Sequence, residues 1–509
     1  MSLTAWILLI LLVVYIPLWL WVFKSPKAVK YGLEKYGPCV KINTRWGTKL
    51  MRILGRFHRF WRAYGVLSQI LAFILMVEIV YIMVVGIINL PSSITSGGLG
   101  IEYALAIPGI NPLLPFWYTL IALIVAMVLH ELAHGMQTVS NKMRVKHTGI
   151  LHCVVPLGAF VEPDQEDVDK SSRRVRLDLY SAGIATNFIV GAIAFVLFAN
   201  VMLGGISSPY ADSAAIYYET GDSPAYEAGL PAGAIILTVD GEDFTYSTDL
   251  NASYSWSPGE VVTVVYLLDD GQHTASFRWG LYVESVVDGS PADDVLKAGW
   301  ILTSFTYEGT VYEMYSANLL TTFMNMTAPG DTVTIAYISA DGSTSGTTDL
   351  TLGTKGDVGY IGIHTTTSGM SFITPTVLLE TATNPFYGAS SLSEYATGAL
   401  TYIALPFEGF CPVPASVQWW YGEQTWGFWE IAELLYWIFW LDIMLGVSNA
   451  IPAYPFDGGF IFLGWLDRLL EKLGMKDKEK REAAANQFTS NLSFLMIFLF
   501  VLLILAVVL

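Results

Sequence analysis

The chain has 509 residues, 53% of them hydrophobic, with a mean hydropathy of +0.49 and a net charge of −17. That composition is too apolar for a soluble protein of this length. Three cysteines, Cys39, Cys153 and Cys411, stand far apart without ligand spacing, so neither a disulfide framework nor a cysteine zinc site is expected. The charge is unevenly spread: basic residues sit in a few connecting segments and the acidic excess in one long middle region. That is the pattern of a membrane protein with an acidic aqueous domain.

Residues 4–23 make a first apolar span of bilayer length. No small-residue cleavage site follows, so a retained anchor is expected rather than a signal peptide. Segment 24–65 then holds eleven Lys and Arg. Residues 66–90 form a second span, and the loop 91–112 has no basic residue. A third span, 113–137, is followed by segment 138–176 with seven more basic residues, and 177–203 is a fourth span. Beyond it Gly, Ser, Thr and Asp rise and the apolar runs shorten to strand length, as in Val261–Leu268 and Thr332–Ile338. This aqueous region repeats itself. Ser223-Pro224-Ala225 and Gly233 recur as Ser290-Pro291-Ala292 and Gly299, and Pro258-Gly259-Glu260 recurs as Pro329-Gly330-Asp331. The arrangement resembles the PDZ domains attached to membrane and periplasmic proteases, with the first copy (204–281) matching better than the second (282–370). The second has Tyr307-Glu308-Gly309 where the first has Val239-Asp240-Gly241.

Residues 371–425 are aromatic and broken by prolines, and they read as helices lying at the interface. A fifth span, 426–447, is fronted by Trp419, Trp420, Tyr421 and Trp426 as an aromatic belt. After the Asn449–Gly459 loop, 460–487 reads as a short helix and a charged segment, and 488–509 is the sixth span. Segments 24–65, 138–176 and 460–487 hold 24 of the 27 Lys and Arg, which the positive-inside rule assigns to the cytoplasm. Both termini and the repeats are then extracytoplasmic. The membrane parts are 1–203 and 426–509, with 371–425 as the interfacial segment between repeats and fifth span.

The third span ends in His130-Glu131-Leu132-Ala133-His134. On a helix the two histidines share one face, so both imidazoles reach one zinc ion, and Glu131 stands beside them as a candidate general base. Three ionisable groups inside an apolar span are costly and are usually functional. His130 lies about 18 Å of helix before Lys142, which puts the metal in the membrane nearer the cytoplasmic face. Catalytic zinc takes a third protein ligand. The candidate is Asp457, in a segment after the fifth span where Pro452 and Pro455 break the helix and Gly458-Gly459 permit a tight turn.

HExxH in one span and Asn449-x-x-Pro452-x-x-x-x-Asp457-Gly458 after a later one resemble the site-2 protease family of intramembrane zinc metalloproteases. Gly149–His152 and Pro156–Asp164 resemble that family's membrane-associated β-hairpin, and Gly183-x-x-x-Asn187 its GxxxN motif. The resemblance covers the three core spans and the insert. It implies a polytopic α-helical membrane protein of about six spans, with an inserted extracytoplasmic β-rich region of two PDZ-like domains. His130, His134 and Asp457 would bind zinc and Glu131 would activate water. Asn187 and Asn449 would line the site or hold the substrate backbone. Gly158, Ala159 and Phe160 would present an edge strand to an extended substrate. The expected substrates are membrane-spanning proteins in the lipid bilayer, with the PDZ-like domains gating or recruiting them. No nucleic-acid partner is expected. The alternatives are a membrane-scaffolded zinc peptidase acting on soluble or peripheral peptides, and a non-catalytic PDZ membrane receptor.

Overall fold

The computed structural model of the chain describes residues 3–93, 111, 113–153, 155–244, 249–251, 253–408 and 412–508. Most of the expected loop 91–112, and Cys411, lie outside the described residues. The chain divides into two compact units. One comprises 1–202, 403–409 and 430–509, and the other 203–402 and 410–429.

The first unit opens with helix α1 (Leu3–Lys24) and a hairpin of strands β1 (Leu33–Tyr36) and β2 (Cys39–Thr44). Then come helices α2 (Thr48–Gly55), α3 (His58–Ser93) and α4 (Phe116–Ser140). Strands β3 (Val145–Cys153) and β4 (Val155–Pro163) follow, and then α5 (Gln165–Lys170) and α6 (Arg173–Val196), which continues as a wider π-turn over Leu197–Met202. Ser172 caps α6, its Oγ accepting from the Val175 N–H. The β1–β2 hairpin, unforeseen in a segment read only for its charge, joins the later one into an antiparallel sheet of order β1-β2-β3-β4. β4 is therefore an edge strand. Val40 pairs with His152 in that sheet, which sets Cys39 beside Cys153, and the two form a disulfide across 114 residues of chain. The expectation that the cysteines stay apart is corrected here: strand register, invisible in linear spacing, brings them together.

The second unit holds β5 (Ala215–Glu219), α7 (Pro224–Glu227), β6 (Ile235–Val239), β7 (Glu242–Asp243), β8 (Val261–Leu268) and β9 (Gly271–Arg278) from the first repeat. The second repeat supplies β10 (Leu281–Val286), β11 (Trp300–Tyr307), β12 (Thr310–Glu313), α8 (Ala317–Met324), β13 (Thr332–Ser339), β14 (Ser345–Thr351), β15 (Gly353–Lys355) and β16 (Val358–Tyr360). Strands β17 (Ile363–Thr367) and β18 (Met370–Ile373) form a central hairpin in one long sheet of order β14-β13-β11-β10-β17-β18-β5-β6-β8-β9. The repeats thus flank the hairpin, each pairing its first strand with one hairpin strand. Gly362 and Gly369, at φ +89° and +94°, precede β17 and β18. A side chain at either would overlap Ser290 or Ser223, the serines that open the two Ser-Pro-Ala motifs.

One core runs through both repeats, from Ile216, Val264 and Trp279 to Leu302, Phe305 and Leu350. The repeats differ in one segment. The second has helix α8 before β13, whereas the first has no helix there among the described residues. Instead Trp256 packs 5.6 Å from the ring of Trp279 and 5.1 Å from that of Tyr315. In 371–425 the chain forms α9 (Pro375–Thr383) and α10 (Leu392–Ala404), then short 3-10 turns over Leu405–Glu408 and Ala415–Tyr421.

The chain returns to the first unit as α11 (Phe428–Asn449), α12 (Asp457–Lys472) and α13 (Lys478–Val508). Among the described residues five helices are long and apolar enough to cross a membrane: His58–Ile88, Phe116–Ser140, Arg173–Gly205, Phe428–Asn449 and Lys478–Leu505. The first expected span is α1, of which Leu12–Lys24 counts as a shorter apolar helix. Ile70 and Ile74 on α3 and Phe494 and Phe498 on α13 are exposed, as suits helices whose surroundings are hydrocarbon. Small residues let α6 approach its neighbours: Ser181, Ala182 and Ala185 are fully buried around Gly183.

α12 is tied down at its far end by charge. Asp467 is buried, and it accepts from Arg173 Nε (2.6 Å) at the start of α6 and from Arg481 Nε (2.7 Å) in α13. Arg173 also binds Glu471 at 2.8 Å. Asp467→Ala would leave buried Arg481 facing Arg173 with only the half-exposed Glu471 as a counter-charge. The expected cost is roughly 3–5 kcal/mol, read as a lowered Tm in detergent, whereas Glu471→Ala at the exposed rim should leave the Tm nearly unchanged.

Candidate metal centre

α4 is apolar along most of its length, so His130 and His134 are carried into the packed interior, only 6% and 8% exposed. Their rings stand 4.7 Å apart on one face of the helix. The third member arrives from far along the chain. Residues Ala450–Phe456 break the helix after α11, and α12 starts at Asp457 itself, taking in the last three residues of the stretch expected to be loop. Its Oδ2 lies 3.1 Å from His130 Nε2 and 3.2 Å from His134 Nε2. The backbone of this segment is close-packed, because a Cβ on Gly459 would lie 2.7 Å from the Ala453 carbonyl carbon.

Each imidazole is oriented from behind. His130 Nδ1 pairs with Asn187 Oδ1 at 3.1 Å, and His134 Nδ1 with the Leu179 carbonyl at 2.8 Å, so both Nε2 atoms face Asp457. Such partners fix the tautomer that leaves Nε2 free for a metal. Donor atoms of the three residues all lie within 4.8 Å of one another. Three ligands on a tetrahedral zinc, bound at about 2.0–2.1 Å, stand about 3.3 Å apart. The donor set and its spacing therefore fit zinc with one coordination position left open.

Glu131, beside them on α4, also reaches β4, where its Oε2 accepts the Val161 N–H at 2.7 Å. That N–H faces away from β3, so strand alternation puts the N–H and C=O of Ala159 on the same open edge. Gly158, Ala159 and Phe160 all lie on β4, paired with Leu151, Ile150 and Gly149 of β3. Asn187 is brought to the metal triad. Asn449 turns back on its own helix, its Nδ2 donating to the Leu445 carbonyl at 3.0 Å. His147 pairs in register with Glu162, and His152 stacks on Tyr15, so neither joins the triad.

Of two further contributors, sequence reasoning missed one and named the other, Gly183, only as the first residue of the GxxxN motif. The Leu179 carbonyl is backbone and has no sequence signal. Gly183 had one, since it sits one turn before Asn187. A Cβ there would come within 2.5 Å of His130 Nε2 and of His134 Nε2, so α6 passes the imidazoles only because residue 183 has no side chain. Gly183→Ala should displace both rings and lower zinc affinity at least as much as losing an outer hydrogen-bond partner does, about 10–100-fold. Chelator competition on the purified variant checks this.

Two histidines on a helix long enough to span a bilayer, an aspartate from the start of α12 closing on them, and a glutamate beside them make the donor set of a metalloprotease centre in a multi-pass membrane protein. The chain belongs to peptidase family M50, the site-2 protease family, whose family model matches residues 118–498. It is also similar to Uncharacterized protein MJ0971 of Methanocaldococcus jannaschii, 31% identical over 184 residues, which cover 36% of this chain and 48% of that protein. The chain thus spans about half the length of the curated relative it matches.

Proposed function

We propose that this protein is an intramembrane zinc metalloprotease that cleaves transmembrane segments of membrane-anchored substrates near the cytoplasmic face. The observation that carries the reading is the convergence of Asp457, from the start of α12, on His130 and His134, which stand with Glu131 on α4, a helix long and apolar enough to span a membrane. Bound zinc would polarise the scissile carbonyl and lower the pKa of a bound water to about 7. Glu131 would serve as the general base that accepts a proton from the attacking water and as the acid that returns it to the leaving amine. Asn187 holds His130 in the ligating orientation. The open edge of β4 at Ala159 receives an unwound stretch of substrate as an added strand next to Glu131. A helix in lipid keeps its carbonyls in internal hydrogen bonds, so substrates with local helix breakers are favoured.

The repeated region is the candidate filter. Segment 204–425 has only Arg278, Lys297 and Lys355 as basic residues, so its acidic surface disfavours acidic ectodomains and admits trimmed ones.

Two measurements test the reading. With reconstituted protein, a membrane-spanning substrate should be cut and a soluble peptide of the same cleavage sequence should not, and chelator should stop the reaction. Equal cutting of the two would favour the peripheral peptidase. For sidedness, single cysteines at Ser171 and Lys478 in a cysteine-free background should be labelled only from the cytoplasm, and one at Ser343 only from outside. Labelling of Ser343 from the cytoplasm would reverse the orientation.

A further inference from the structure

α11 carries a carboxylate that the chemistry above does not use. Asp442 is fully buried, with Leu441 and Trp440 beside it, and neither of its carboxyl oxygens has a hydrogen-bond partner. Across the seam between α11 and α6, Asn187 is fully buried too. Its Oδ1 serves His130 Nδ1, and its Nδ2 has no partner. Two glycines close this seam. A Cβ on Gly446 would lie 3.3 Å from Asn187 Cβ, and one on Gly191 would lie 3.2 Å from the Phe439 carbonyl and 3.0 Å from the Ile443 side chain. Asp442 falls between these two contacts, one turn from Gly446 on the side away from the metal. A donor lacking an acceptor and an acceptor lacking a donor therefore stand about a turn apart on facing helices, in surroundings that make each costly alone.

We propose that Asp442 is a positioning residue for the metal centre, acting on Asn187 Nδ2 through one ordered water in the α6–α11 seam. This inference rests on reading His130, His134 and Asp457 as a zinc site. The amide of Asn187 has two ends of nearly equal shape, and which end meets His130 decides the tautomer of that ring. With Oδ1 toward His130, Nδ1 carries the proton and Nε2 keeps its lone pair for the metal. With Nδ2 toward His130, Nδ1 must accept and the proton moves to Nε2, which then cannot ligate. The carboxyl of Asp442 accepts hydrogen bonds, so it holds Nδ2 on the far side and Oδ1 on the imidazole. Asn187 Nδ2 and the Asp442 carboxyl supply the two polar partners that a buried water needs at minimum.

The test uses the full-length chain in detergent and reads zinc affinity by chelator competition together with the Tm of the zinc-free protein. Asp442→Leu should lower zinc affinity about 10–100-fold, the usual effect of removing an outer partner, without lowering the zinc-free Tm. Asp442→Asn keeps an acceptor oxygen and should restore affinity to within a few-fold. In an Asn187→Ala background, Asp442→Leu should have no further effect on zinc. Should the leucine variant fail to fold, Asp442→Val lacks an acceptor equally and carries the same comparison. Parent-like zinc affinity in a folded leucine or valine variant overturns the proposal. So does a full further loss in the Asn187→Ala background, or a lowered zinc-free Tm with unchanged affinity, which is what a purely structural role would give. If the parent chain itself binds no zinc, the metal reading fails, and this inference fails with it.

Discussion

Glu131→Gln should slow peptide-bond hydrolysis about 10²–10⁴-fold, the range that a positioned general base contributes, while zinc content stays at the parent level. The substitution is informative because of where Glu131 points. Its carboxylate accepts the Val161 N–H at 2.7 Å and is not one of the three converging metal donors. A glutamine side-chain oxygen can still accept that N–H, so the β4 edge stays in place and the metal ligands are untouched. What is lost is the proton acceptor. Single-turnover hydrolysis of a membrane-spanning substrate, measured with the zinc stoichiometry of the same sample, checks both halves of the expectation. A variant that hydrolyses at the parent rate would remove Glu131 from the chemistry, and one that loses zinc would show that its role is structural.

Asp457→Ala should abolish stoichiometric zinc and, with it, all hydrolysis. Its Oδ2 is the only carboxylate oxygen among the described residues that closes on both imidazoles, so its removal leaves two ligands where catalytic sites use three. The loss of affinity should exceed the roughly 10–100-fold that removal of an outer partner produces. The variant should nevertheless fold, because α12 is held by Asp467 through Arg173 and Arg481, ten residues further along. Metal analysis after dialysis, with the Tm as a control, decides the matter. Retained stoichiometric zinc would mean that another residue supplies the third ligand.

The readable part of this protein was set by composition and local pattern. An apolar run of bilayer length forms a helix in any context, because the chain must satisfy its own backbone hydrogen bonds in hydrocarbon. HExxH on that helix needs only the 3.6-residue period to bring His130 and His134 together. Asp457 was reachable for a similar reason: two prolines and two glycines announce broken backbone after a span, and a carboxylate there has few other uses. The strand repeat was legible because turns and Ser-Pro-Ala motifs recur in the same order in both copies.

Everything that depends on which strand or helix lies beside which was decided by tertiary structure. Cys39 and Cys153 are separated by 114 residues and meet only through the register of β2 against β3. Residues 33–44 look like a charged linker until β3 offers them an edge to pair with. Asn449, promising by its place near Asp457, folds back on Leu445, whereas Asn187 reaches His130 because Gly183, one turn earlier, lets α6 pass close to the α4 imidazoles. The carbonyl of Leu179, which orients His134, belongs to the backbone and so leaves no trace in residue type. The sequence by itself determined which groups could act, since side-chain chemistry and helical period are local properties. The tertiary structure decided which of them are brought within bonding distance, because contact across hundreds of residues is a matter of packing.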